Sequence, residues 1–526
     1  MSAPSSGMAA MLAGLEPAQV TYAGLVRSLL DVPSDRPAVI TDDASVSYGE
    51  LCGRIGATAR YLLDLGVAAG DHVAVMMANS VDALVVQLAV QTAGAVGVLV
   101  HSSLSGEALR HVLAHSDAVV GVVDADLAEE VARAAPAFPV HTAADVDLAS
   151  ALVGVVDPGE LLDRLSPSPF GAAFVNYTSG TTGTPKGVVL PQLFSMAAML
   201  LAQRLGLRPD EERVYLCTPL YHALGLANSA MTLRLRGQIV LPPRFSASRY
   251  WDDIRDHRCT FAYHVGTIAR MVFNQPPRPT DGEHEVRTFI GGGMPADIWE
   301  QFADRFRVTI FEAYSASDGV GNIANFGDAP VGSIGRPGPE LEARLVDEAG
   351  SDVAVGEVGE LWLRPAGAPA MVEYYKDPAA TDEKVRDGWL HTGDLMRRDD
   401  SGALFFVDRA KDIVRRRGVN IAPAEVERIL CGHPAIAECT VHPVPSDLGE
   451  DELKLVVPRA AGLDEPTLAA HCEAVLPVHM RARYIELVDE LPKTDTERVQ
   501  RFKLKRSWRT PTTWDTLTAD YLGASG

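Results

Sequence analysis

The stretch from Tyr177 to Leu190 reads YTSGTTGTPKGVVL. Thr178, Ser179, Gly180, Thr181, Thr182, Gly183 and Thr184 precede a single lysine, Lys186. Glycines let such a chain curl tightly, and the hydroxyl and backbone N–H groups between them converge as donors on an anion. The pattern predicts a loop that holds phosphate. The apolar runs Ala172 to Val175 before it and Gly187 to Leu190 behind it predict strands, so the loop is a turn between strands. It is not a Walker A loop, whose lysine opens a helix. A polar surface turn is the alternative that composition alone leaves open.

The rest of the chain limits what such a loop can serve. At 526 residues it exceeds a single core and predicts two or more domains. A formal charge of -22 argues against nucleic acid or an anionic membrane as partner, so anionic ligands must be met by local cations. The six cysteines contain no C-x2-C pair, which disfavours a disulfide framework or a zinc site and suits a reducing cytoplasm. The N-terminus has no basic run ahead of an apolar one, and the longest apolar stretch, Ala83 to Val100, is interrupted by Gln87, Gln91, Gly94 and Gly97. Neither a signal peptide nor a membrane span is expected. Nothing in the sequence sets the oligomeric state.

Helical and strand-like spacing alternate through the first 400 or so residues. Tyr48 to Leu65 and Ser80 to Ala93 have helical spacing; His72 to Met77 and Val96 to Val100 read as strands. This grammar predicts an α/β fold, a large N-terminal domain of mixed sheets covered by helices. Residues 157–171 and 275–285 read as loops from their proline, glycine and charge. After about Gly388 the texture changes to short strands, a basic run, and helices from Pro423 and from Glu465 to Val475, a small α+β unit. The last twenty residues, from Ser507 onward, read as a loose tail.

Further motifs follow in order: PLYHALG around His222, IGGGMP at 290–295, YSASD at 314–318, WLHTGD at 389–394, DRAKDIVRRRGVNIAPAEVE at 408–427 and LPKTDTERVQRFKL at 491–504. Together with the loop, and over nearly the whole chain, they resemble the adenylate-forming superfamily of acyl-CoA synthetases, luciferases and nonribosomal adenylation domains. HTGD, RRRGVNIAP, HPVPSDLGEDELK and DELPKTDTERVQ look most like crotonobetaine/carnitine-type and related acyl-CoA ligases. The resemblance implies an acid that attacks the α-phosphorus of ATP, loss of pyrophosphate, and transfer of the acyl group to a thiol, usually that of CoA. Charge crowds onto phosphate oxygens in the first step, so donors and cations are the main catalytic need.

Carried over residue by residue, the resemblance assigns Thr178, Ser179, Gly180, Thr181, Thr182, Gly183 and Lys186 to the phosphates. Gly291, Gly292, Gly293 and Tyr314 would enclose the adenine, Asp394 would accept the ribose hydroxyls, and Ser317, Arg409 and Arg415 would complete the nucleotide contacts. Asp318 stands where the family has a Mg²⁺-binding glutamate, a carboxylate one methylene shorter. His222 would orient the acid near the α-phosphate, in a pocket drawn from His222, Leu224, His264 and Gly266 within the 264–267 segment, Met294 and Ser315. That small and polar set points to a short or aromatic acid rather than a long lipid tail. Arg415, Arg416 and Arg417 are equally a solvated turn or a contact to CoA or nucleotide phosphates.

In this family a C-terminal lid rotates between two poses about one residue, here Lys411. The implied domains are 1–407, a hinge at 408–411, and a lid at 412–526. One pose brings in a lysine from a PKTxxGK motif; here Glu497 replaces the glycine and Arg498 the lysine. Three readings follow. Arg498 serves as the catalytic cation, Lys493 substitutes for it, or adenylation is impaired. The departure also leaves two alternatives, a diazotase-type enzyme that adenylates nitrite and passes it to an aryl amine without CoA, and a non-catalytic nucleotide-binding homologue.

Overall fold

The computed structural model describes residues 15–146, 157–178, 185–315, 323–416, 419–445, 451–494, 497 and 499–522. Two sheets dominate. One has six strands in the spatial order Val140–Thr142, Ala118–Val123, His72–Met76, Val96–Leu99, Ala172–Thr178 and Lys186–Pro191, parallel except for the last pair. The other has nine, with Ile310–Tyr314, Thr288–Gly292, Phe261–Val265, Arg213–Tyr215, Gln238–Val240 and Pro37–Ile40 parallel at its centre and antiparallel strands at both edges.

The helices take their places from their apolar faces. Tyr22–Leu29, Tyr48–Asp64, Val81–Thr92 and Ala223–Arg234 contribute Leu25, Leu51, Ile55, Leu88, Leu226 and Met231 to a core that also holds Phe174 of the six-stranded sheet and Phe261 of the nine-stranded one. The helix Val81–Thr92 is buried on nearly every side, as a layer between two sheets requires. A second core lies on the far face of the nine-stranded sheet against Tyr250–Asp256, Gly266–Phe273 and Trp299–Phe306, and a third on the far face of the six-stranded one against Gly106–His115 and Ala128–Ala134. The result is five alternating layers. Helix starts follow local chemistry: Ser47 and Glu50 form a reciprocal capping box on Tyr48–Asp64, and Ser80 Oγ accepts from Ala83 N at 3.0 Å.

A smaller sheet of Leu341–Val346, Val358–Pro365, Val385–Arg386, Trp389–Arg398 and Leu404–Arg409 has its own core around Leu361, Leu390 and Leu404. A single 3-10 turn, Ala410–Asp412, follows it, and then the hairpin Val414–Arg416/Val419–Ile421. The C-terminal unit is built on a mixed sheet of Thr440–Pro445, Asp451–Pro458, Tyr484–Val488, Trp514–Asp515 and Asp520–Tyr521, and its core draws only on residues from Val414 onward.

Two expectations need correction. The described part of the segment after Ser507 is not a loose tail: Trp514–Asp515 and Asp520–Tyr521 form a hairpin that extends the C-terminal sheet, fixed by burial of Trp514 and by Lys454, whose Nζ donates to Thr513 Oγ1 at 2.9 Å. The 157–171 loop contains a short helix, Pro158–Leu162, because Asp157 accepts from Gly159 N at 2.8 Å and Pro158 suits a first helical turn.

Candidate active site

The phosphate-loop motif sits on an antiparallel hairpin in which Ala172–Thr178 pairs with Lys186–Pro191, Thr178 lying opposite Lys186. Ser179, Gly180, Thr181, Thr182 and Gly183 lie outside the described residues, as does the side chain of Thr178. Lys186 projects from the first position of the second strand. Its Nζ lies 3.0 Å from Asp377 Oδ2 and 5.9 Å from the Tyr374 ring centroid. Asp377 is the N-cap of Pro378–Lys384, its Oδ1 accepting from Ala380 N at 2.9 Å. That helix N–H and the Lys186 ammonium hold its carboxyl below the usual range. The segment carrying Asp377 runs along the hairpin through Val189 N to Glu373 O and Tyr375 N to Gly187 O, at 2.9 and 2.7 Å. Sequence reasoning missed Asp377, whose only local signal is that of a helix start.

The glycines sit at the C-terminal end of Thr288–Gly292. A Cβ on Gly291 would fall 1.7 Å from the carbonyl oxygen of His264, and Gly293 has φ +78°, so this turn admits no side chain at either position. It is held from beneath by Glu312, a buried residue of the neighbouring strand whose carboxylate accepts from Gly293 N and, at 3.3 Å, from Met294 N. Burial pushes Glu312 up to about 8, against the pull of those two N–H groups. Gly266 packs against the same turn, a Cβ there falling 2.2 Å from Gly293 O, and Met294 is buried.

His264 lies on the face of its strand away from the central core. Its ring stacks on Phe289 at 4.9 Å, its Nε2 lies 3.2 Å from Phe311 O, and burial lowers it to about 4, so the ring is neutral and donates from Nε2. Tyr263, one residue earlier, faces the core shared with the His222 helix.

Tyr314 ends the next strand, and its phenol donates to Asp394 Oδ2 at 2.6 Å. Arg409 Nε lies 3.3 Å from Asp394 Oδ1, fixed there by the register in which Asp394 and Arg409 are direct partners. Asp394 N donates to Thr392 Oγ1 at 3.1 Å, and that hydroxyl donates to Leu361 O at 2.6 Å. The buried carboxylate is thus aimed by a cation, a phenol and its own strand. Ser315 follows, exposed; Ser317 and Asp318 lie outside the described residues, and among the described residues no group of three or more His, Cys, Asp or Glu is arranged to hold a metal.

His222 is the N-cap of Ala223–Arg234, with Nδ1 accepting from Leu224 N at 3.3 Å. Lys411 is exposed within the 3-10 turn. The arginine run divides: Arg416 pairs with Glu452 at 2.6 Å and donates to Arg481 O at 2.7 Å inside the C-terminal unit, while the side chain of Arg415 and all of Arg417 lie outside the described residues. Arg498 lies outside them too. Its neighbours do not: Glu497 has φ +60°, the left-handed region in which glycine is at ease, and Lys493 pairs with Glu438 at 2.8 Å and Glu497 at 3.5 Å. Glu497 also walls a cavity of about 610 Å³ with Asp42, Pro242, Arg244, Phe245 and Arg249.

Residues 27–375 match the AMP-binding enzyme family, and residues 425–498 its C-terminal domain. The chain is a member of that family. This AMP-binding enzyme is 32% identical over 485 residues to a sulfoacetate–CoA ligase of Cupriavidus necator, covering 89% of this chain and 94% of that one. It is 31% identical over 502 residues to the medium/long-chain-fatty-acid–CoA ligase FadD6 of Mycobacterium tuberculosis, covering 90% and 83%. The solved structure of ATP-bound MatB from Rhodopseudomonas palustris matches with a TM-score of 0.80 at 27% identity, covering 92% of this chain and 99% of that one. The AMP-binding enzyme is accordingly an AMP-forming acid ligase of the adenylate-forming superfamily, with the fold of its CoA-ligase neighbours. No helix among the described residues is long and apolar enough to cross a membrane.

Proposed function

We infer that the protein is an ATP-dependent acid:CoA ligase, working through an acyl-adenylate. The observation that carries the nucleotide half is the carboxylate of Asp394, buried and oriented by Tyr314 and Arg409 beside the bare turn Gly291–Gly293. A ribose presents two adjacent hydroxyls to such a carboxylate, and an adenine ring needs a backbone without side chains to lie on. Tyr314 supplies the opposite face.

Lys186 meets the phosphates, exchanging Asp377 for them, with the Thr178 to Gly183 loop as the source of further donors. The acid's carboxylate oxygen bonds to the α-phosphorus as the bond to pyrophosphate breaks, and the α-phosphate oxygens gain charge that Arg498 neutralises. Lys493 is committed to Glu438 and Glu497, which favours Arg498 over it as that cation. His222, with Nδ1 engaged by Leu224 N, offers Nε2–H to the acid. Asp318 would hold Mg²⁺, which supplies charge neutralisation at the phosphates. A swing about Lys411 then exchanges one face of the lid for the other. The CoA sulfur, deprotonated to the thiolate, attacks the acyl carbon, and AMP leaves with the electron pair of the broken acyl C–O bond. The acid pocket draws on His222, Leu224, Met294 and Ser315.

The test is pyrophosphate release across a panel of short, aromatic and fatty carboxylic acids plus nitrite, with CoA, without it, and with aryl amines in its place. Acid-dependent release with a CoA thioester as product supports the assignment. Turnover of nitrite with an amine and no use of CoA overturns it in favour of diazotisation.

A further inference from the structure

The turn that delivers His222 is held by the connection and helix that follow His72–Met76 of the six-stranded sheet. Between the end of Arg213–Tyr215 and the start of Ala223–Arg234 the chain runs Leu216 to His222, and its carbonyls and N–H groups are met by two carboxamides far away in sequence. Asn79, in the connection between His72–Met76 and Val81–Thr92, donates from Nδ2 to Thr218 O at 3.1 Å and accepts at Oδ1 from Leu220 N at 2.8 Å. Gln87, buried on Val81–Thr92, donates from Nε2 to Leu220 O at 3.2 Å. The turn closes on itself through His222 N to Pro219 O at 3.0 Å. It lies against the new helix so tightly that a Cβ on Gly225 would fall 2.1 Å from Pro219 O.

These contacts have one result in common: they fix the backbone from which the imidazole projects. The backbone N–H of Leu224 only donates, so Nδ1 of His222 accepts and carries no proton, and the neutral ring keeps its proton on Nε2. Tautomer and position are both set by the turn. A carboxamide alone among side chains of this size offers a donor and an acceptor in one plane, which is what a carbonyl and an N–H two residues apart require.

We propose that Asn79 is a positioning residue for acid activation, acting through the His222 turn, with Gln87 as its second anchor. This rests on the role given to His222 above. Misplacing a reacting group by about 1 Å costs on the order of 10²-fold in rate, and removal of Asn79 leaves Thr218 O and Leu220 N without the partners that hold the turn.

The experiment is a double-mutant cycle on acid-dependent pyrophosphate release, using Asn79→Ala, His222→Ala and the pair. Asn79→Ala should lower kcat by roughly 10- to 100-fold while KM for ATP stays within about twofold. Asn79→Asp keeps the acceptor for Leu220 N and should recover part of the loss; it also carries the cycle if the alanine variant does not fold. In the His222→Ala background, Asn79→Ala should slow the enzyme no further. Losses that multiply in the pair, or a wild-type kcat for both Asn79 variants, overturn the proposal. A wild-type rate for His222→Ala overturns the role of His222 itself, a different failure with its own signature.

Discussion

Tyr314 and Asp394 stand on different sheets, and a 2.6 Å hydrogen bond from the phenol to the carboxylate joins them. The contact ties the end of the nine-stranded sheet to the small sheet that precedes the 3-10 turn Ala410–Asp412, and it orients the carboxylate proposed above to receive the ribose. Asp394→Ala should raise KM for ATP, with a loss of about 3 kcal/mol in transition-state stabilisation, 10²- to 10³-fold in kcat/KM. Tyr314→Phe removes only the donor and should lose roughly 1.5–3 kcal/mol. Steady-state kinetics with varied ATP decides this; unchanged KM in both variants places the ribose elsewhere.

Lys186 is not idle before ATP arrives, since Asp377 holds it at 3.0 Å. Lys186→Ala should lose on the order of 10²- to 10³-fold in adenylation. Asp377→Asn keeps the helix cap and removes the competing charge. Because a partly exposed pair is worth about 0–1 kcal/mol, KM for ATP should fall by up to roughly fivefold. A rise in KM instead makes Asp377 a partner in ATP binding rather than a competitor.

Glu312 makes stability depend on pH in a predictable direction. Its carboxyl titrates near 4.5 when exposed and is raised to about 8 by burial. The folded protein therefore holds this proton more tightly than the unfolded chain, so the contribution is full below pH 4.5 and is lost as pH rises toward 8. Glu312→Gln keeps an acceptor for Gly293 N without a charge. Thermal unfolding of both proteins at pH 5 and pH 8 should show the glutamine variant gaining on wild type with rising pH, by on the order of a few kcal/mol. A pH-independent difference would mean that the carboxyl does not titrate in this range.

Glu497 sits at φ +60°, a conformation that strains a residue with a Cβ by about 1–2 kcal/mol. Glu497→Gly should therefore stabilise the protein by roughly 1 kcal/mol despite loss of the Lys493 contact, after allowance for the greater freedom of glycine when unfolded. Chemical denaturation reads this directly, and a lower midpoint with unchanged slope counts against it.

Arg498→Ala should depress acid-dependent pyrophosphate release by on the order of 10² or more while sparing the use of pre-formed adenylate. Arg498→Lys separates two roles for the guanidinium. Lysine suffices if the α-phosphate needs only a cation, and fails, with a shift in acid preference, if the fork grips the acid at two points. An alanine variant that adenylates at the wild-type rate returns attention to Lys493, despite its two carboxylate partners.

What the sequence disclosed and what it hid divide along range. The hairpin Ala172–Thr178/Lys186–Pro191, the helix Val81–Thr92 and the strands His72–Met76 and Val96–Leu99 are all legible from periodicity and flanking glycines. The roles of Asp377, Glu312, Asn79 and Gln87 are not, because each meets its partner on another element, and local spacing carries no record of that partner. His264 is an intermediate case: motif position places it in the pocket, whereas strand alternation sends it to the face opposite Tyr263, against Phe289. The Trp514–Asp515 hairpin escapes because strands two residues long carry no periodicity.

Arg501 reaches across the 3-10 turn Ala410–Asp412. It grips Glu427 with two 2.7 Å bonds and lies 3.6 Å from Asp412 and 3.8 Å from Asp408, which itself accepts from Ala424 N at 2.9 Å. Asp408 precedes Lys411 in the chain, whereas Glu427, Ala424 and Arg501 belong to the unit beyond it. The rotation proposed about Lys411 therefore starts from a latched pose, since the contacts to Asp408 must part before the unit beyond it can turn. Under the proposed rotation, that latch is what the transfer half-reaction must first undo.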